Sequence, residues 1–394
     1  MTQATGTRSH RVELAVLTAA KVVSNTALRW VGPFLPTLER AFSTTTGTLT
    51  GIMGACELGG LSTLATGPFL DRGNERRVVT LGLVAVGVSS LVALGGSVAT
   101  FAVAFALLVL GVGNLTVAGH AWIGHRVAFS ARGRAIGVFE TSWAIALLVG
   151  APILAVLISW FGWRGPFVAL AIGSFVAAIA VFVLVAPGAP RPPGERPSEG
   201  RRIPGSAWYP MIASAATAAA GLGVFVVSGA WLDDVHGVST GGLGVIAAGF
   251  GAVELMSSSG VAVIGDRVGS RRSVQIGLVG LASGLVVMST ADDERWLAIA
   301  GLVVFLGGFE FGFVSSLTLV TEAAPLARGR AIGISNACGT VARSSSVVAS
   351  GQLYEAFGIN GSITLAAAAA AIALAMTTLT MTPEIGADAA ARVT

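Results

Sequence analysis

Apolar runs of about 20 residues, each long enough to cross a hydrocarbon core as a helix, fill nearly the whole chain. They predict twelve spans, near residues 12–36, 47–70, 78–98, 99–124, 134–160, 165–187, 206–232, 240–265, 273–291, 296–323, 330–353 and 361–382. Most connections are short, so successive helices are expected to be antiparallel neighbours. The exception is a stretch rich in Pro, Gly, Arg and Glu at 188–205, read as a cytoplasmic linker between residues 1–187 and 206–394. The pattern predicts an all-α membrane protein.

Ionisable residues sort the spans into two kinds. The third, sixth, ninth and twelfth carry none in their apolar stretches. A charge at the bilayer centre costs several kcal/mol, so these four are expected to face lipid. The others hold Lys21, Arg29, Glu57, Glu140, Glu254, Glu310 and Arg343, which should face the interior or a wet cavity. With every third helix peripheral, each six-helix half is itself a pair of three-helix units, a nesting found in transporters.

The halves also repeat in sequence. The heptapeptide ARGRAIG at 131–137 returns unchanged at 327–333, a shift of 196 residues (327 − 131 = 196). Asp71-Arg72 followed by Arg76 and Arg77 is echoed by Asp266-Arg267 followed by Arg271 and Arg272, and Phe161-Gly162 by Phe357-Gly358. Solenoid and propeller repeats run only about 20–50 residues. This period is the size of a whole helical bundle.

Composition fits a bilayer better than water. Hydrophobic residues make up 54% and charged residues 11%, with mean hydropathy +0.80, whereas soluble domains carry about 25% charged residues. A net charge of +4 and a pI near 9.8 raise the question of nucleic acid, and the distribution answers it. Arginines cluster in alternate connections, while the other connections hold only Arg40, Arg164 and Arg295 beside acids such as Asp233, Asp234, Asp292, Asp293 and Glu294. The positive-inside rule then puts both termini in the cytoplasm and the protein in the cell membrane, with lipid and no nucleic acid as its surroundings. Residues 12–36 are too long for a signal core and include Lys21 and Arg29, so no cleavable leader is expected. Cys56 and Cys338 lie inside apolar spans and imply no disulfide. With no P-loop, HExxH, GxSxG or CxxC pattern, no enzyme, cofactor or metal is expected.

The candidate chemistry lies at mid-membrane depth, counted at about 1.5 Å per helical residue. Lys21, Asn25 and Arg29 are spaced by four and form one polar stripe. Glu57 and Glu254 occupy nearly equivalent places in the two halves, and Asn114 and Glu310 correspond at the same 196-residue shift. A buried carboxylate resists ionisation unless a cation pairs with it, which suits Glu57, Glu254 and Glu310 to carrying a coupling proton, Glu57 first. The alternative is simple neutralisation, as Arg29 with Glu57 or Arg343 with Glu310. Asn25, Arg29, Asn114, Trp143, Glu310, Asn336 and Arg343 are the candidate substrate-binding residues. Trp231 with Phe309, Phe311 and Phe313 would supply an aromatic wall, His120 and His125 are read as packing or loop residues, and Glu140 and Glu322 as partners of loop arginines.

Gly67-Pro68-Phe69-Leu70-Asp71-Arg72, running on to Arg76-Arg77, resembles the loop between the second and third helices of the major facilitator superfamily, with Asn74 where that pattern has its second glycine. The second copy keeps Gly269 and has Ala262 for the first glycine. The resemblance covers the whole chain and implies the major facilitator fold, twelve transmembrane helices in two pseudo-symmetric six-helix bundles. It makes Gly67, Asp71, Arg72, Arg76, Asp266 and Arg267 a gating motif, with Asp71 facing the start of the eleventh helix near residues 328–330. The fifth span, with Glu140 to Trp143 and then Gly150-Ala151-Pro152, partly resembles the antiporter motif of twelve-helix drug:proton exporters. The expected function is secondary transport of a small organic solute by alternating access, as proton-coupled efflux by a monomer. Proton-coupled uptake of an organic anion is the alternative, drawn from the buried cations Lys21, Arg29 and Arg343. A non-transporting membrane sensor is the reading from another class.

Overall fold

The computed structural model describes residues 2–188 and 203–380, apart from Asp292 and Leu326; the side chains of residues 2–9, Phe129, Ala262, Asp266 and Arg328 lie outside it. Most of the linker, with Arg191, Arg196, Arg201 and Arg202, and the end of the chain with Arg392 also fall outside the described residues. Those described form helices and turns without a strand.

The first span is α1 (Thr2–Arg29), followed by the short α2 (Leu35–Phe42). The second is broken into α3 (Thr46–Glu57), a 3-10 turn (Leu58–Ser62) and α4 (Thr63–Leu70). Then come α5 (Glu75–Ala93), α6 (Val98–Arg126) and a fifth span made of α7 (Phe129–Ile145), a π turn (Ala146–Gly150) and α8 (Ala151–Phe161). The sixth is α9 (Arg164–Leu184). The second half runs through α10 (Trp208–Asp234), α11 (Thr240–Val268), α12 (Ser270–Ser289), α13 (Arg295–Ala323), α14 (Arg328–Phe357) and α15 (Ile359–Leu379). Among the described residues, nine helices are long and apolar enough to cross a membrane on length and composition alone. The other three spans fall short for physical reasons. α1 and α14 carry charge and hydroxyls towards the centre, and the second span is interrupted at Gly59-Gly60, poor helix formers both.

Local chemistry sets the turns. Thr45, Ser97 and Ser239 cap α3, α6 and α11 by accepting backbone N–H bonds, and Ser97 with Thr100 forms a reciprocal capping box. The repeated Phe-Gly pairs have one cause: Gly162 and Gly358 end α8 and α14 at φ +63° and +61°, where a Cβ would be strained. The tight turn of the Asp-Arg loop is made by Gly73 (φ +76°), not by Asn74, whose φ is −93°. Asn74 instead donates its amide to the Phe69 carbonyl at 3.2 Å. Gly269 (φ +86°) makes the matching turn in the second half.

Ile172, Val176, Ile179 and Val183 on α9, and Ile276, Val279 and Val286 on α12, are exposed apolar residues, and α8 and α11 expose others, among them Ile153, Trp160, Val245 and Met256. Between the halves, α3 runs against α14 and α8 against α11. This contact is close because glycines permit it. A Cβ on Gly54 would come within 2.5 Å of Val348 Cγ2, and one on Gly251 within 2.5 Å of the Leu148 nitrogen.

The two faces of the molecule differ. On the distal face, away from the start of α1, the halves are joined. Arg40 pairs with Asp233, the Gly47 N–H donates to Glu355 Oε1 at 2.7 Å, and Gln352 donates to the Gly47 carbonyl at 3.1 Å. Toward the proximal face, where α1 starts and α15 ends, the packing between the halves thins: α3 and the 3-10 turn pack on α14, whereas α4 packs chiefly on α6. The cleft between the halves opens proximally and is shut distally.

Candidate functional site

At the floor of that cleft the polar stripe of α1 meets the other half. The Arg29 guanidinium grips the Glu254 carboxylate of α11 with both terminal nitrogens and donates to the Trp143 carbonyl at 2.9 Å. It also lies 5.2 Å from the Trp143 ring centre and 5.6 Å from that of Phe225. Both charges are nearly buried, at 11% and 6% exposure. A two-pronged pair of this kind is strong and directional. One turn earlier, Asn25 donates to Ser142 Oγ at 3.1 Å, and one turn earlier still Lys21 Nζ meets Glu140 at 2.7 Å.

A second charge pair also crosses between the halves. Arg343 of α14 stands 3.8 Å from Glu57, at the point where the second span breaks, and both are about a quarter exposed to the cleft. Arg343 also donates to Thr340 Oγ1 at 3.3 Å. The expected partners are therefore exchanged: Arg29 takes Glu254 and Arg343 takes Glu57, so each acid of the repeat is held by an arginine of the opposite half.

Asn114 and Glu310 do correspond, even in their partners. Asn114 donates to Ser62 Oγ at 3.2 Å, and Glu310 accepts from Ser258 Oγ at 2.9 Å, the serine lying 52 residues earlier in both cases. Thr66 also donates to Asn114. Asn336 is exposed on α14. Trp143 is half-buried beside Arg29, whereas Trp231 and Phe309 sit in the core. Phe309 stacks on Phe313 at 5.8 Å and Trp231 packs against His236, while Phe311 and Phe313 are half-buried.

The loop motif divides by role. Asp71, Arg72 and Arg267 are exposed, and Asp71 has no ion pair among the described residues; the Asp266 side chain lies outside them. Arg76 instead donates to the carbonyls of Phe182 and Val185 at 3.1 and 3.4 Å, closing the end of α9. Arg271 does the same to Thr378 at the end of α15. Free carbonyls at a helix C-terminus welcome a cation, so these two arginines fasten the peripheral helices of their own halves.

Glu140 and His120 overturn their expected roles. Glu140 meets Lys21 and His120 rather than loop arginines, and His120 Nε2 is 2.7 Å from its carboxylate. Glu322 accepts from Ser270. The missed signal was spacing across helices, which periodicity within one helix does not carry.

Two helical bundles that meet around paired charges, with nine helices long and apolar enough to cross a membrane among the described residues, define an all-helical membrane-type fold. The Major Facilitator Superfamily sequence profile matches residues 17–261 and 211–392, and the chain belongs to that superfamily. The "Probable L-galactonate transporter" of Escherichia coli (strain K12) is 31% identical over 129 residues, 32% of this chain and 28% of that one. An "Uncharacterized MFS-type transporter", YwfA, of Bacillus subtilis (strain 168) is 28% identical over 141 residues, 35% of this chain and 34% of that one. The matches thus span about a third of these relatives or less. Among solved structures, a D-xylose-proton symporter superposes with TM-score 0.77 at 16% identity, covering 94% of this chain and 97% of that one. A bacterial homologue of the human lysosomal transporter Spinster, inward-facing and occupied, superposes with TM-score 0.73 at 13% identity, covering 94% of each. These likenesses bear on the fold, that of a multi-pass membrane protein.

Proposed function

We propose that the protein is a proton-coupled symporter of a small organic anion, with its termini in the cytoplasm and its cleft open to that side in this structure. One observation carries the reading: Arg343 is held by Glu57 at only 3.8 Å, across the halves and in reach of the cleft. A carboxylate solute competes with Glu57 for that guanidinium. Protonation of Glu57 removes the competitor, so proton and anion bind together and travel in the same direction. Arg29, locked by Glu254, serves as the fixed cation of the site, while Trp143, Asn114, Asn336 and Glu310 offer stacking and hydrogen bonds to the rest of the solute. Asp71 bridges to the second half when the proximal face closes. A sugar acid fits this chemistry, and the name of the Escherichia coli relative points to the same class.

The test is uptake of labelled L-galactonate and gluconate into proteoliposomes. An inward proton gradient should drive accumulation, and a protonophore should abolish it. Equilibration without accumulation would remove proton coupling, and no entry of either acid would remove the substrate class. Efflux by antiport is the second reading, supported by the π turn and Pro152 of the fifth span. Loaded vesicles decide between the two, because an antiporter expels the solute as protons enter.

A further inference from the structure

The seam between α3 and α14 carries a contact that the central site does not use. α3 begins at Thr46, so the backbone N–H of Gly47 is one of the first-turn donors that its own helix cannot satisfy. Thr45 takes the next such donor, at Thr48, and Glu355 of α14 takes that of Gly47 at 2.7 Å. Gln352, one turn earlier on α14, donates to the Gly47 carbonyl at 3.1 Å. Two side chains of the second half thus grip the backbone of one residue in the first.

Only a residue without a Cβ leaves room for this grip. A Cβ at position 47 would come within 2.7 Å of Glu355 Oε2 and 2.8 Å of Gln352 Nε2. Both atoms are tips of flexible side chains, so an added methyl displaces the grip and leaves the helix in place. Helix formation gives glycine no role here, since alanine favours a helix over glycine.

We propose that Gly47, Glu355 and Gln352 form the catch that keeps the distal face shut, and that its release sets how readily that face opens. The inference rests on the carrier reading above, in which the two faces open in turn. The Arg40–Asp233 pair on the same face is a weaker tie, because Arg40 is 60% exposed and water offers it other partners. Gly47 is buried in the seam, so its N–H reaches water only once the halves part. The N-terminus of α3 adds its positive field to the attraction for the Glu355 carboxylate. Further along the seam, Ser344 donates to the Gly54 carbonyl at 2.7 Å, and Arg343 meets Glu57 at 3.8 Å. Glu57 lies ten residues after Gly47 on α3, about 15 Å of rise away. The catch is therefore the outer end of a run of cross-half contacts whose inner end is the Arg343–Glu57 pair. A solute that takes Arg343 from Glu57 loosens the inner end and leaves the outer end to the catch.

The test measures the distal gap on the full chain in lipid nanodiscs. Spin labels are placed at Ala99→Cys, at the start of α6, and Asn360→Cys, at the start of α15, both exposed, with Cys56 and Cys338 changed to Ser. All variants are measured at one pH and without solute. The short distance of the shut face should dominate in this background. Gly47→Ala should raise the ratio of long to short distances about tenfold, even though it favours the helix. Glu355→Ala should do the same, and Glu355→Gln, which keeps an acceptor and loses the charge, should fall between it and the background. Gln352→Ala removes a neutral bond and should give a smaller rise. Arg40→Gln should change the ratio by no more than about twofold. An unmoved ratio in Gly47→Ala or Glu355→Ala overturns the catch, and so does an Arg40→Gln shift as large as theirs. If Gly47→Ala lowers folded protein, the two Glu355 variants decide. Uptake of labelled gluconate is followed separately. If the wild type carries no solute, the carrier reading falls, while the distances still report whether these residues hold the face shut.

Discussion

At the scale of single residues, the two cross-half ion pairs differ in consequence because they differ in burial. Arg29 and Glu254 are nearly sealed and bound through two bonds, so removing one charge strands the other. That costs on the order of 3–5 kcal/mol, and Glu254→Gln is expected to lower the yield of folded protein and its thermal midpoint. Glu57→Gln should not, because Arg343 is partly exposed and already rests at 3.8 Å with a second partner in Thr340. Its effect should appear in function, as gluconate binding that no longer strengthens with acid. Fluorescence-detected gel filtration with a thermal ramp measures the first, and binding by calorimetry at two pH values the second. A Glu57→Gln protein that unfolds as readily as Glu254→Gln would make both pairs structural. Arg76 makes a contrasting case. Its bonds close the end of α9, so Arg76→Ala should reduce thermal stability and leave turnover per folded molecule unchanged.

At the scale of elements, the fifth span shows what one proline does. Pro152 has no N–H to give to the preceding turn, and the chain answers with a π turn in which the Ala151 N–H reaches back to the Ala146 carbonyl. The extra residue rotates α7 against α8 by about 100°, and this turn packs against α1 and α11, with Gly150 beside Thr26. Pro152→Ala is expected to let a regular helix form, turn Glu140 and Trp143 away from Lys21 and Arg29, and slow transport severalfold at unchanged expression. Hydrogen exchange across residues 146–152 would report the change, and wild-type exchange with wild-type transport would count against it. Much of this architecture was legible in advance: the apolar spans and the α1 stripe follow from spacing along a helix, and the repeat from matching segments 196 residues apart. The pairing was not, because Arg29 and Arg343 choose acids on the opposite half, and no periodicity within a helix records which helix lies across a cleft. The break in the second span at Gly59-Gly60 and the shift of the loop's turn from Asn74 to Gly73 also escaped, since each depends on one backbone angle.

At the scale of the whole molecule, the closed distal face has a titration of its own. Glu39 on α2 accepts from Thr46 and lies near Asp234, Arg40 and Glu355. Burial pushes its carboxyl above the ordinary value of 4.5, with Thr46 and Arg40 opposing and Asp234 and Glu355 adding to the rise. Opening that face would hydrate Glu39 and return it toward the ordinary range, so the closed state binds more protons than the open one. Its share of closed-state stability is fully present below pH 4.5 and is lost as pH rises through the raised value. His236, packed beside Trp231, is pushed down by burial and acts with the opposite sign, so a His236→Gln background isolates Glu39. The measurement is a spin-label distance across the proximal face, between Ser130→Cys and Arg330→Cys with Cys56 and Cys338 changed to Ser. Long distances, the state described here, should dominate in acid, and a shorter population should grow as pH rises above the ordinary carboxyl value of 4.5 and through the raised one. Glu39→Gln keeps the Thr46 contact and cannot ionise, so it should hold the long distance at every pH. If it shows the same pH response as its background, the distal carboxylate does not set the balance between the two states.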